Sequence, residues 1–136
     1  MPKIFTSEKQ KIGEIGENIA VKFLIKNNFL ILDRNYTKKW GELDIVAEKE
    51  NKIYFIEVKS VSRETLNNVI YETTDEYRAE DNMHPWKMKR LSRVIQTYLS
   101  SKKIPDDQKW QVDLLLVFLD LVNKKAKIRR IEDLIL

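Results

Sequence analysis

Apolar residues recur at three- and four-residue steps from Ile12 to Leu24. Ile12, Ile15, Ile19, Ala20, Phe23 and Leu24 form the stripe of a helix packed on something else, expected over Ser7–Asn27. Ser7 can cap it, and Gln10 three residues on completes a capping box. Gly13 and Gly16 fall towards the stripe, each at a cost of up to about 1 kcal/mol in helix propensity, so both are expected to permit close approach to a neighbouring backbone. Glu17 lies at the margin of the stripe; it fits a cleft at the helix–sheet boundary or an ordinary surface position.

The period then shortens to two. A strand is expected from Phe29 towards Tyr36 and a second from Gly41 to Glu48, with Leu43, Ile45 and Ala47 on one face and Glu42, Asp44, Val46 and Glu48 on the other. A third runs from Lys52 to Lys59 after the turn Glu50-Asn51-Lys52. It places Ile53, Phe55, Glu57 and Lys59 on one face and Tyr54, Ile56 and Val58 on the other. Both of its faces are apolar over most of their length, which is the pattern of a central, buried strand.

Helical spacing returns over Trp86–Lys102 through Met88, Leu91, Val94, Ile95, Tyr98 and Leu99. A buried strand is expected over Val112–Leu121, broken by Asp113, and a last short strand over Ile128–Ile131. The order is α-β-β-β-α-β with an extra C-terminal strand. The chain of 136 residues is expected to be a single domain. Residues 60–85 carry no clear pattern.

Composition narrows the chemistry. The chain has no cysteine, which excludes disulfides and thiolate metal sites. No leader is expected in MPKIFTSEKQK and no apolar stretch is long enough to cross a bilayer, so a cytoplasmic protein without membrane contact is expected. The net charge of +4 matters less than its distribution. Between Glu64 and Asp81 six acids face the single base Arg78; between Trp86 and Lys103 there are six bases and no acid. Lys87, Arg90 and Arg93 are spaced to lie mostly together, away from the core-facing line, as a phosphate-facing surface or a solvated helix face. The acidic segment 64–82 is a candidate recruitment site for a protein partner.

Acids within apolar strands need a partner or a metal ion. Asp44 and Glu57 are the only two on buried-type strands close enough in sequence to meet, and Lys59 shares the face of Glu57. Two carboxylates suit magnesium or manganese, which fill their remaining positions with water and phosphate oxygens. A lysine beside them can orient water and stabilise charge developing on phosphate. A buried Glu–Lys pair without a metal explains the same residues equally well. Ile12-Gly13-Glu14-Ile15-Gly16 also matches the I-G-x-x-G of nucleic-acid-clamping KH loops. Glu14 and Glu17 are the wrong charge for that role, and too few residues precede Ile12 to supply the strand it needs.

Taken together, Gly13-x-x-Gly16-Glu17-x-x-Ala20-x-x-x-Leu24, Arg34-Asn35-Tyr36, Gly41-Glu42-Leu43-Asp44-Ile45-Val46-Ala47 and Phe55-Ile56-Glu57-Val58-Lys59 resemble the YraN-like family of small bacterial proteins. Lys87-x-x-Arg90-Leu91 and Val112-Asp113 continue the likeness. That family resembles a branch of the PD-(D/E)xK nucleases related to Holliday-junction resolvases. The resemblance implies an α/β fold with a restriction-endonuclease-like αβββαβ core, a mixed central sheet flanked by helices. It implies Asp44 and Glu57 as metal ligands with the Val58 carbonyl as a third, Lys59 as the catalytic lysine and Glu17 as a helix-borne catalytic acid. Lys87 and Arg90 would face the DNA backbone, and a homodimer would make paired cuts in branched DNA. The sequence departs from the family where Val61 follows Ser60 and where Gln111 replaces an arginine. A nucleic-acid-binding or adaptor module without catalysis is the alternative on the same fold.

Overall fold

A computed structural model describes residues 7–63 and 85–134. The acidic segment 64–82 and His84 lie outside the described residues. Helix α1 spans Glu8–Lys26 and is followed by strands β1 (Leu30–Lys38), β2 (Gly41–Lys49) and β3 (Lys52–Arg63). Helix α2 (Pro85–Ser101) precedes β4 (Trp110–Asp120) and β5 (Lys125–Ile131). The five strands form one sheet in chain order, antiparallel except for the parallel pair β3–β4. This is a mixed sheet flanked by helices, the αβββαβ core of restriction-endonuclease-like folds with β5 added at one edge.

Local chemistry sets the boundaries. Ser7 and Gln10 form the expected capping box at the start of α1. Asn28, at φ 69°, ends the helix in a left-handed turn, with the Phe29 amide donating to the Leu24 carbonyl at 2.9 Å and the Asn28 amide to that of Ile25 at 3.1 Å. Phe29 and Leu24 are both buried in the same core cluster, so this stop also packs. Glu50 and Asn51, at φ 51° and 64°, make a two-residue hairpin turn whose twist suits antiparallel strands. The turn is one residue shorter than the sequence suggested, because Lys52 already pairs with Lys49.

Buried apolar clusters cover both faces of the sheet. On the α1 side Ala20 and Leu24 pack with Ile45, Ala47, Ile56, Leu115 and Val117. On the α2 side Leu91, Val94, Ile95 and Tyr98 pack with Leu43, Val46, Phe55 and Val112. From Gln111 to Asp120 every residue of β4 is buried, which accounts for its almost uninterrupted apolar run. The edge strand β5 is longer than the apolar pattern indicated. It begins at Lys125, before the expected Ile128, and its Lys and Arg residues are the charges that blunt a sheet edge.

Strict alternation fails in β2. It would place Leu43 with Ile45 and Ala47, whereas Leu43 packs on the α2 side with Val46. Asn35, at φ 53°, sits between the paired positions Arg34↔Ile45 and Tyr36↔Leu43, and this left-handed residue turns the β1–β2 ribbon beside Asp44.

The glycines divide. A Cβ on Gly16 would lie 1.8 Å from Ser60 Oγ and 2.8 Å from Ser60 Cβ, so only glycine lets α1 settle this closely on β3. Gly41 similarly clears Val94 of α2, which a Cβ would approach to 2.7 Å. Gly13 corrects the expectation drawn for it: nothing lies within 4 Å of where its Cβ would be. Gly13 and Gly16 also fall inside α1 rather than in a loop, which removes the KH-type clamp.

Candidate active site

The β2–β3 ladder runs from Lys49↔Lys52 to Ile45↔Ile56 and stops. Continued by one step it would set Asp44 directly against Glu57. Two carboxylates cannot share that position without cost, and the strands part there. Asp44 Oδ2 instead accepts the Val58 amide at 2.8 Å, taking the place of a ladder carbonyl. The amide and carbonyl of one strand residue point to the same edge, so the Val58 carbonyl also faces the gap beyond Ile45.

Asp44, Glu57, Glu42, Gly41, Lys87 and Arg90 line a cavity of about 260 Å³ over Leu91. The Asp44 carboxyl is pushed up to about 8. Burial is the largest cause and the negative charge of Glu57 the next; the Val58 amide pulls the other way, while Glu17 and Glu42 add to the rise. Asp44 therefore feels three other carboxylates, drawn from α1, β2 and β3. Glu17 is held at that distance by α1 seated over Ser60 and is paired with Arg34 at 3.2 Å. Arg34 also donates to Asn18 at 2.8 Å.

The cations take distinct positions. Lys87 Nζ lies 3.1 Å from Glu57 Oε1, a partly shielded ion pair with the two side chains 37% and 14% exposed. Arg90 Nε donates to the Trp40 carbonyl at 3.2 Å and lines the cavity. Arg93 stacks over the Trp40 ring at 4.5 Å and does not line it, so the three bases do not act as one face. Lys59 follows Glu57 by two residues on the same face of β3 and is half-buried, but is not among the cavity-lining residues.

Two features escaped sequence reading. Glu42 lines the cavity and takes a hydrogen bond from Thr37 at 3.2 Å. Its place beside Asp44 in GELD was the only available signal. The Lys87–Glu57 pair joins positions thirty residues apart, and no local pattern announces it.

Among the described residues no three His, Asp or Glu side chains come close enough to hold an ion between them. Asp44 and Glu57 instead make a two-carboxylate set, which suits a hard cation that completes its shell with water and substrate oxygens. Their mutual repulsion, visible in the raised Asp44, is what such a cation would relieve.

The profile of an uncharacterised protein family, UPF0102, matches residues 16–117. The chain belongs to this family. A UPF0102 protein of Alkaliphilus oremlandii is 35% identical over 124 residues, covering 91% of this chain and 97% of its own. One from Dictyoglomus thermophilum is 36% identical over 115 residues, 85% of this chain and 88% of its own. Another, from Campylobacter fetus, is 35% identical over 105 residues, 77% and 81% respectively. The UPF0102 match opens at Gly16 and spans Glu17, Asp44, Glu57, Lys59 and Lys87, while β5 lies beyond it. It is the family that the GELDIVA and FIEVK segments resemble. No helix among the described residues is long and apolar enough to cross a membrane.

Proposed function

We propose that this protein is a magnesium- or manganese-dependent endonuclease of the PD-(D/E)xK type, hydrolysing phosphodiester bonds in structured or branched DNA. One observation carries the reading: Asp44 and Glu57 converge where β2 and β3 part, with Lys59 two residues on, inside an αβββαβ core. Asp44, Glu57 and the Val58 carbonyl would hold the cation. A bound divalent ion supplies Lewis-acid stabilisation of charge at phosphorus.

The chain's own groups divide the remaining work. Lys59 orients the attacking water and offers its ammonium to a phosphate oxygen. Glu17, fixed by Arg34, acts through water at the α1 side of the site. Lys87 and Arg90 at the cavity and Arg93 beside Trp40 neutralise backbone phosphates, which makes DNA affinity salt-dependent. Paired cuts in a branched substrate call for a second copy of the chain related by two-fold symmetry.

Purified protein incubated with Mg²⁺ or Mn²⁺ is expected to cleave at least one of duplex, flap, four-way junction or single-stranded substrates. Asp44→Ala and Lys59→Ala should each lower the rate by about a hundredfold or more. Absence of metal-stimulated cleavage across these DNAs and their RNA counterparts would sink the catalytic reading.

The Lys87–Glu57 pair favours a second reading, a DNA-binding or adaptor module without catalysis, because Glu57 already has a cationic partner. In that case salt-dependent DNA binding would need no metal and would survive Asp44→Ala unchanged. A role for the acidic segment 64–82 in recruiting a protein partner belongs to this second reading.

A further inference from the structure

Lys87 and the cation proposed above would meet at the same carboxylate. Glu57 sits in an apolar strand, only 14% exposed, and its partner is the Lys87 ammonium at 3.1 Å. Both residues line the cavity that contains Asp44. A shielded carboxylate needs a positive neighbour, and Lys87 supplies it from the first turn of α2. A divalent ion bound by Asp44 and Glu57 would stand within a few ångströms of that ammonium. Like charges at such a distance repel strongly in a partly dry site. Arg90 lies at the same cavity and donates to the Trp40 carbonyl at 3.2 Å. The charge that would be displaced from Glu57 is that of its ion-pair partner, Lys87.

A lysine that leaves one anion needs another. Its long, flexible stem carries a compact charge that a phosphate oxygen can receive, and its side chain, 37% exposed, lies at the open side of the pair. We infer that Lys87 is a positioning residue that couples the two ligands: it occupies Glu57 until a backbone phosphate draws it away, so that DNA and divalent cation bind with positive cooperativity. This rests on the cation site proposed above. By linkage the coupling is reciprocal: the cation raises DNA affinity by the same factor that DNA raises cation affinity. A structural surface ion pair, in contrast, would contribute little and couple nothing.

The test measures Mn²⁺ binding by the electron paramagnetic resonance of free Mn²⁺, using the full chain, with no turnover involved. Native protein is compared with Lys87→Met, Lys59→Met and Asp44→Ala, alone and with a 12-base-pair duplex bearing phosphorothioate linkages. Ion uptake by the duplex is taken from the Asp44→Ala sample. Without DNA, Lys87→Met should bind Mn²⁺ about tenfold more tightly than native protein, and Lys59→Met less than threefold more tightly. The duplex should tighten native binding by about tenfold, within the usual range of coupling, and leave Lys87→Met nearly unchanged. Equal or weaker Mn²⁺ binding by Lys87→Met, with native binding that Asp44→Ala abolishes, would overturn the coupling and leave the cation site standing. No binding by either native protein or Lys87→Met would remove the cation site and the coupling with it.

Discussion

Asp44 of β2 and Asp113 of β4 lie on the two strands that flank β3, and they are provided for in opposite ways. Asp113 of β4 is 1% exposed and fully satisfied. Its Oδ1 accepts from Gln111 Nε2 at 2.7 Å and from the Asp133 amide at 3.0 Å; its Oδ2 accepts from Arg130 Nε at 3.0 Å and Nη2 at 2.8 Å. Arg130 itself lies over the rings of Phe29 and Tyr54, 5.4 and 5.7 Å from their centroids. Asp44 of β2 accepts a hydrogen bond from the Val58 amide and feels three carboxylates. A buried charge supplied with every donor it can use fastens β5 and the chain end to the sheet. A buried carboxyl left among other acids is costly to keep, and that asymmetry separates a structural aspartate from a candidate ligand.

The contrast fails first if Asp113 proves dispensable. Arg130→Met leaves that carboxylate buried without its guanidinium, and urea unfolding should show a loss of about 3–5 kcal/mol at neutral pH. A loss below about 1 kcal/mol would mean that the clamp fastens nothing. The opposite response is expected at Asp44 when an ion is supplied. Mn²⁺ at about a hundred times its dissociation constant should raise native stability by about 2.7 kcal/mol, and Asp44→Asn should lose that gain. The ion must displace a proton held up to about pH 8, so its apparent affinity should climb by up to about tenfold per pH unit until then.

The proton alone gives the next effect. The folded-state value of Asp44, about 8, lies above its ordinary 3.8, so between those limits the native state binds more protons than the unfolded chain. Its stability must therefore fall as pH rises through that window. Asp44→Asn, which keeps an acceptor for the Val58 amide, should match the native protein near pH 4 and exceed it by on the order of 2 kcal/mol above pH 8, a figure discounted for partial exposure. A variant no more stable at pH 9 than the native protein would mean that the carboxyl is not under this pressure.

The smallest effects separate the two glycines of α1. Gly16→Ala meets Ser60 and should cost about 1–2 kcal/mol. It would also draw Glu17 away from Asp44 and flatten the pH response just described. Gly13→Ala, with open space around its Cβ, should gain about 0.5–1 kcal/mol in thermal unfolding and leave that response intact.

What was legible in the chain was local. The capping box at Ser7, the stripe from Ile12 to Leu24 and the period-two runs of β2 and β3 mark elements because each signal lies within one turn or one strand. Asp44 and Glu57 stood out because acids interrupt apolar strands, and the short hairpin makes their meeting a local event. Illegible features joined distant parts of the chain. Arg130 reaches Asp113 across seventeen residues and Lys87 reaches Glu57 across thirty. The face taken by Leu43 changes beside a left-handed residue, Asn35, on a neighbouring strand. Alternation supplies no warning of such a turn, because asparagine is compatible with both conformations.

The parallel pairing of β3 with β4 also dictates an order of assembly. Each of its matched positions, from Ile53↔Trp110 to Arg63↔Asp120, joins residues 57 apart in the chain. By contrast β1, β2 and β3 are linked by turns of two residues. Hairpins close in roughly microseconds, whereas pairings of such long span slow folding by orders of magnitude. Asp44 and Glu57 thus meet early, on a ribbon that needs nothing distant, and Lys87 arrives only with α2. In stopped-flow experiments Asn51→Ala, which strains the β2–β3 turn, should chiefly slow refolding, while Leu91→Ala in α2 should chiefly hasten unfolding. The acidic half of the site is the founding element of this fold, and its basic half is the latecomer.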